Sequence, residues 1–260
     1  MKTKVICFAN NKGGSGKTTT CASLAYAFGE RGKKVLMIDG DMQLNLTLSY
    51  FNEDEALEFA KSDRNLYNLV KNGGNVKDCI VKTRYENVDL IPSSTLMSSI
   101  EFELFTKWQR ESIMRKTLSP IVEEGIYDYV LIDAPPTLGC WVMNLLVASD
   151  YIALPVEASP WGLFGLANMF EFIESVREIN PDLSLLGVIV TKVDGRKNYF
   201  KQTLETLRST EGIRVFDQVI HTDSSVEWAQ DDSKPVGGYK KSSRSAGEYA
   251  ALADEILNKI

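Results

Sequence analysis

A chain of 260 residues, 44% apolar and 25% charged, has the composition of a soluble globular protein and enough length for one sizeable core. No apolar run reaches the roughly 18 residues that span a bilayer, and the first residues lead straight into a strand-like run, so neither a spanning helix nor a signal peptide is expected. The net charge of -6 argues against a constitutive nucleic-acid binder but leaves room for a local basic patch.

Five short apolar runs follow one another along the chain: "VICF" (5–8), "VLMI" (35–38), "YVLI" (129–132), "YIALPV" (151–156) and "LLGVIV" (185–190). They are continuous rather than alternating, as in strands buried on both faces of a parallel sheet. Helical patterns lie between them. The first has Cys21, Leu24, Ala25 and Phe28 at i, i+3, i+4 and i+7, with Gly32 as a stop. Residues 52–78 are polar and contain "NGG"; short helices and loops are expected there, not a separate domain. Strand–helix alternation over residues 1–260 predicts one α/β domain, a mostly parallel twisted sheet with helices on both faces. The cysteines Cys7, Cys21, Cys79 and Cys140 lack C-x-x-C spacing and fit reduced thiols in a cytoplasmic protein.

Between the first run and the first helix stands "NNKGGSGKTTT". It nearly fits the phosphate loop G-x-x-x-x-G-K-S/T, but Asn11 occupies the place of the opening glycine and Lys12 is a second lysine. Gly13, Gly14 and Gly16 let backbone N–H groups converge on an anion at a helix N-terminus, together with Ser15 and Thr19. Lys17 is placed to neutralise phosphate charge and Thr18 to reach Mg2+. Asp39 and Asp41 end the second strand and Asp133 ends "YVLI", where open α/β sheets bind ligands and where such enzymes hold Mg2+. The lone histidine, His221, lies far along the chain from these motifs and is taken as structural.

"KGGSGKTTT" resembles the deviant Walker A motif, K-G-G-x-G-K-S/T, of the ParA/MinD superfamily of P-loop ATPases. "VLMIDGDMQLNLT" (35–47), "YDYVLIDAPPTLG" (127–139), "NLLVASDYIALPVEASPWGLFGL" (144–166) and "KPVGGYKKSSRSAGEYAALADEI" (234–256) resemble its other segments, most closely in the short ParA/Soj branch. The resemblance implies a P-loop NTPase fold, ATP and Mg2+ as cofactors, and a homodimer when ATP is bound. It implies that Lys12 crosses the dimer interface to the partner's nucleotide, with a cis contact as the alternative. It gives Asp41 the attacking water, sets Asp39 near the metal, and places Thr191, Lys192 and Asp194 near the adenine. Gly40, Met42 and Leu44 depart from the family, which usually has an apolar residue, Pro and Gly there.

The resemblance further implies non-specific DNA binding and a ParB-like centromere-binding partner that stimulates hydrolysis, in plasmid or chromosome partition. Candidate phosphate-contacting residues are Arg196, Lys197, Lys201, Arg208, Arg214, Lys234, Lys240, Lys241 and Arg244. Against this, "IHTDSSV" (220–226) stands where Soj-like chains read "IPRNVRL", so Thr222 and Ser225 replace two arginines. A MinD-like membrane role is disfavoured because the last helix carries Glu248, Asp254 and Glu255 on its polar face. An iron–sulfur role like that of the nitrogenase iron protein lacks a second cysteine between Cys79 and Cys140. A biosynthetic ATPase of this fold would need a substrate pocket beyond the nucleotide, and no motif for one stands out.

Overall fold

The computed structural model describes residues 2–194, 198–210 and 212–260, without the side chains of 160–164, 198–201 and 203. Seven strands form one sheet: β1 (Lys4–Phe8), β2 (Val35–Asp39), β3 (Val81–Lys82), β4 (Val88–Ile91), β5 (Tyr129–Asp133), β6 (Tyr151–Glu157) and β7 (Ser184–Thr191). Their order is β3-β4-β2-β5-β1-β6-β7. All neighbours are parallel except β3, which runs antiparallel to β4 at the edge. The five apolar runs are β1, β2, β5, β6 and β7.

The helices in chain order begin with α1 (Lys17–Gly29), α2 (Asn45–Leu48), α3 (Glu53–Lys61), α4 (Leu66–Asn72), α5 (Ile100–Phe105) and α6 (Ile113–Glu124). They continue with α7 (Cys140–Val147), α8 (Pro160–Arg177), α9 (Asn198–Ser209), α10 (Ser224–Asp231), α11 (Val236–Tyr239) and α12 (Arg244–Leu257). The polar stretch 52–78 does fold into α3, α4 and a 3-10 turn at Val76–Cys79. Asn52 starts α3 with a capping box: its side chain accepts from Glu55 N–H while Glu55 reaches back to Asn52 N–H.

The continuous apolar runs are explained by burial on both faces. In β1, Val5 and Cys7 point into one core, which α4 to α8 close, while Ile6 and Phe8 point into another beneath α1 and α12. Tyr249, Leu252, Ala253 and Ile256 of α12 are buried in that second core. Among the described residues no helix is long and apolar enough to cross a membrane. β1 sits between β5 and β6, with Phe8 opposite Asp133 and Asp39 opposite Asp133 in register. The C-terminal ends of β1, β2 and β5 therefore converge, and the loops that carry the candidate residues leave the sheet there.

Candidate nucleotide site

The loop after β1 wraps the N-terminus of α1. Gly14 and Gly16 have φ of 74° and 88°, a left-handed conformation that a side chain would strain. Asn10 fixes the entrance, donating from Nδ2 to Pro155 O at 2.7 Å and accepting from Lys12 N–H at 2.9 Å. Thr191 closes the back by donating its hydroxyl to Ser15 O at 2.8 Å. Asn11 Oδ1 and Ser15 Oγ are buried without a hydrogen-bond partner.

Lys17 turns back over the loop and donates to Lys12 O at 3.2 Å. Burial draws its ammonium below the usual lysine range, against the pull of Asp133 and Asp41. The second lysine does something else. Lys12 Nζ lies 2.8 Å from Glu157 Oε2 and 3.1 Å from Ser159 Oγ, an ion pair within the chain at the end of β6.

The three carboxylates differ sharply. Asp133 is fully buried, and neither of its oxygens has a hydrogen-bond partner. Burial, then the neighbouring Asp39, push its carboxyl well above the ordinary range, with the Thr18 hydroxyl and Lys17 acting the other way. Asp39 is also fully buried, but satisfied: Oδ2 accepts from Thr47 N–H at 2.8 Å and Thr47 Oγ1 at 2.6 Å, and Oδ1 from Asp41 N–H at 3.2 Å. Burial still raises its carboxyl to about 6. Asp41 lines the cavity and accepts from Gln43 N–H at 3.1 Å.

The cavity in front of the loop measures about 720 Å3. Gly13 to Thr19, Asp41, Pro136, Ile220 to Asp223 and Tyr249 line it, with Thr191 and Lys192 standing against the glycine loop. Two backbone bonds tie the segment after β7 to residues 220–222, Val193 N–H to Ile220 O at 3.0 Å and Thr222 N–H to Val193 O at 3.0 Å. A glycine loop open to the cavity at a helix N-terminus, a buried lysine and an unpartnered buried carboxylate behind it can receive a nucleotide phosphate chain with its cation.

A family model described as "AAA domain" matches residues 3–185. Soj of Bacillus subtilis, a sporulation initiation inhibitor protein, is 33% identical over 254 residues, covering 97% of this chain and 98% of its own. The chain belongs to the ParA/Soj family of P-loop ATPases. A cobyrinic acid a,c-diamide synthase of Mycobacterium smegmatis, solved with ADP and magnesium, superposes with a TM-score of 0.84 at 27% identity, covering 98% of this chain and 94% of that one. A putative plasmid partition protein of Borrelia burgdorferi bound to AMPPNP superposes with a TM-score of 0.83 at 25% identity over 100% of both chains.

The departures from the ParA/Soj pattern have structural consequences. Gly40 lets the ends of β2 and β5 meet, because a Cβ there would stand 2.7 Å from Asp133 O. Leu44, where the family has Gly, keeps the left-handed conformation with φ 57° at the start of α2. Asp223, beside the missing arginines, caps α10 by accepting from Ser225 N–H at 2.8 Å and ties it to α12 through Ser245 N–H and Oγ at 3.0 and 2.9 Å. Burial opposes its ionisation, but these bonds hold its carboxyl at about 2.

Of the residues picked from sequence, Gly13 to Thr19, Asp41, Thr191 and Lys192 line the cavity. Asp39 and Asp133 stand behind that wall, Lys12 faces Glu157, and Asp194 is not among the lining residues. His221, taken from the sequence as structural, also has a place at the cavity. It is on the cavity wall, because the bridge between residues 193 and 221 brings the segment after β7 back to the phosphate loop. Sequence reasoning also missed Glu101, whose carboxylate accepts from Cys140 and Trp141 N–H at 3.1 and 3.0 Å and so caps α7 after Asp133. Chain distance hid both.

Proposed function

We propose that this chain binds ATP with Mg2+ and hydrolyses it as a switch between monomer and ATP-bound homodimer. The observation that carries the reading is the unpartnered, buried Asp133 directly behind the Lys17–Thr18 end of the phosphate loop. An ionised carboxylate there needs a cation. Among the described residues no group of three or more His, Cys, Asp or Glu could hold a metal by itself. The residues fit instead a Mg2+ that arrives with the nucleotide, contacted by Thr18 Oγ1 and held by Asp133, directly or through water. That ion would neutralise β/γ-phosphate charge.

The chain's own residues do the remainder. Loop N–H groups from Gly13 to Thr18 seat the phosphates, Lys17 adds positive charge, and Asp41 orients the attacking water. Lys12 reaches the nucleotide of a second copy once it leaves Glu157. The dimer then binds DNA without sequence preference, and a ParB-like centromere-binding partner accelerates hydrolysis and release, in partition of a plasmid or chromosome. The nucleotide-bound state of the Borrelia relative supports the first part of this reading.

The basic surface qualifies the DNA step. Arg208, Lys234, Lys241 and Arg244 each pair with a carboxylate of their own chain, Asp217, Asp232, Glu30 and Glu248. Arg196 and Lys197 lie outside the described residues, as does the side chain of Lys201. These pairs favour the second reading, a ParA-type ATPase that positions a protein complex or acts on a membrane rather than on DNA. Against the membrane version, the apolar face of α12 is buried. A biosynthetic role of the kind named for the mycobacterial relative wants a second pocket beside the first. The next cavity, about 470 Å3, is lined by Lys34, Lys82 and Tyr127 at the opposite ends of the strands.

Binding to a non-specific duplex with ATP, with ADP and without nucleotide, at two salt concentrations, tests this. ATP-dependent binding that weakens with salt supports the partition reading. No binding in any state removes the DNA step and selects the second reading.

A further inference from the structure

The loop after β2 is fastened from behind by residues that do not line the cavity. β4 runs parallel to β2 with Ile38 opposite Ile91, so Ser93, two residues beyond Ile91, leaves the sheet beside Asp41. Ser93 Oγ donates to Asp41 O at 2.7 Å, and Ser93 N–H donates to Thr47 Oγ1 at 3.3 Å. Thr47 Oγ1 passes its own hydrogen to Asp39 Oδ2 at 2.6 Å, and Asp39 Oδ1 accepts from Asp41 N–H at 3.2 Å. These bonds close a ring from Ser93 through Thr47 and Asp39 to Asp41 and back. Ser93, Thr47 and Asp39 are fully buried, and of the four only Asp41 lines the cavity.

The loop held by this ring is an awkward one. Asp41 O also accepts from Leu44 N–H at 3.2 Å, across a turn that ends in the left-handed Leu44. A non-glycine residue keeps that conformation only where its surroundings over-determine it. The preceding Gly40 is pinned separately, its N–H on Asp133 O and its O under Trp141 Nε1, both at 2.9 Å. Among the described residues, Ser93 carries the only side-chain donor to residues 41–44.

We propose that Ser93 is a positioning residue for ATP hydrolysis. Together with Thr47 it fixes the main chain of Asp41, and with it the direction of the carboxylate that orients the attacking water. Its role rests on Asp41 orienting that water, as proposed for the hydrolytic site.

Ser93→Ala deletes one donor and spares the fold, because Asp41 O keeps Leu44 N–H and the Ser93 N–H keeps Thr47. Affinity for a fluorescent ATP analogue, and KM for ATP, should stay within about threefold of the parent. The kcat should fall about tenfold, the worth of one hydrogen bond that sets geometry. Thr47→Val should be slowed similarly, and Thr47→Ser, which keeps the hydroxyl, should recover most of the rate. A double-mutant cycle with Asp41→Ala, read as single turnover with enzyme in excess, separates positioning from structure. If Ser93 acts through Asp41, adding Ser93→Ala to Asp41→Ala changes the residual rate by less than about twofold. A tenfold fall in both backgrounds overturns the proposal, because Ser93 is then a structural residue only. A Ser93→Ala protein with the kcat of the parent overturns it, and so does a Thr47→Ser protein as slow as Thr47→Val. A parent that neither binds the analogue nor hydrolyses ATP ends the nucleotide reading and the proposal together, whereas these results in a parent that does both end the proposal alone.

Discussion

Lys12 and Glu157, 145 residues apart, form an ion pair of 2.8 Å at the mouth of the phosphate loop. The lysine that the family resemblance sends to a partner's nucleotide is therefore held at home. Leaving Glu157 is a cost that dimerisation has to meet. Both side chains are about a third exposed, at 30% and 35%, so solvent screens the pair and its worth is about 0.5–1 kcal/mol.

Glu157→Gln should remove that cost. Each protomer of a symmetric dimer breaks one pair, so ATP-driven dimerisation is expected to tighten about five- to thirtyfold, read by sedimentation velocity across a concentration series. Lys12→Ala should still bind ATP but lose the dimer and most turnover. A Glu157→Gln protein that dimerises less well than the parent would show that the carboxylate serves the dimer, not the resting chain.

Gly40→Ala should be costly although the change is one methyl group. The added Cβ would meet Asp133 O at 2.7 Å and Leu145 Cδ1 at 3.0 Å, and the first of these is backbone at the sheet centre. Relief requires β2 and β5 to separate just where Asp39 and Asp133 are set. A loss of about 1–3 kcal/mol in urea unfolding is expected, with a fall in ATP turnover beyond the fraction unfolded. Full stability with full activity would mean the strand ends are looser than their register indicates.

Glu101 offers a milder test of the same region. Its carboxylate caps α7 from α5, holding the loop that follows Asp133. Glu101→Ala should lower stability by about 1 kcal/mol, or about 2–4 °C in Tm. Because Pro136 of that loop lines the cavity, turnover should fall more than stability. Equal loss of both would limit Glu101 to a structural cap.

The sequence disclosed whatever depended on local pattern. The five buried strands were visible because strands covered on both faces have no polar alternation, and Gly13 to Thr18 because a phosphate loop is contiguous. The edge was not. β3 is two residues long, and β4 contains the buried Asp89, which accepts from Tyr127 and Lys82 at 2.6 Å, so no apolar run announced it. Glu157, Glu101 and His221 carry no motif either. Glu157 joins the site because β6 pairs with β1, Glu101 because it caps α7 from α5, and His221 because it bridges to Val193 after β7, and composition encodes none of these contacts. Leu44 shows the opposite limit: the departure from Gly was legible, but its retention of the left-handed conformation was not.

Asp133→Asn separates stability from activity most cleanly. The folded chain holds the Asp133 proton above the ordinary carboxyl range, so ionisation works against folding. For a raised carboxyl the penalty is absent below the unfolded value near 3.9 and grows as pH rises toward the folded one. Without nucleotide or magnesium, Asp133→Asn should therefore melt higher than the parent at about pH 8, and the difference should shrink as pH falls toward 4. Asp39, raised to about 6, titrates in both proteins and largely cancels in the comparison. Little is sacrificed, because the only polar group acting on the carboxylate is the Thr18 hydroxyl, which an amide oxygen can still meet. ATP turnover should drop by about two orders of magnitude or more, since the carboxylate that would hold Mg2+ is gone. Scanning calorimetry across pH and a phosphate-release assay read the two effects, and an Asn variant that melts lower at pH 8 than the parent would mean that Asp133 is stabilised as an anion in the free protein.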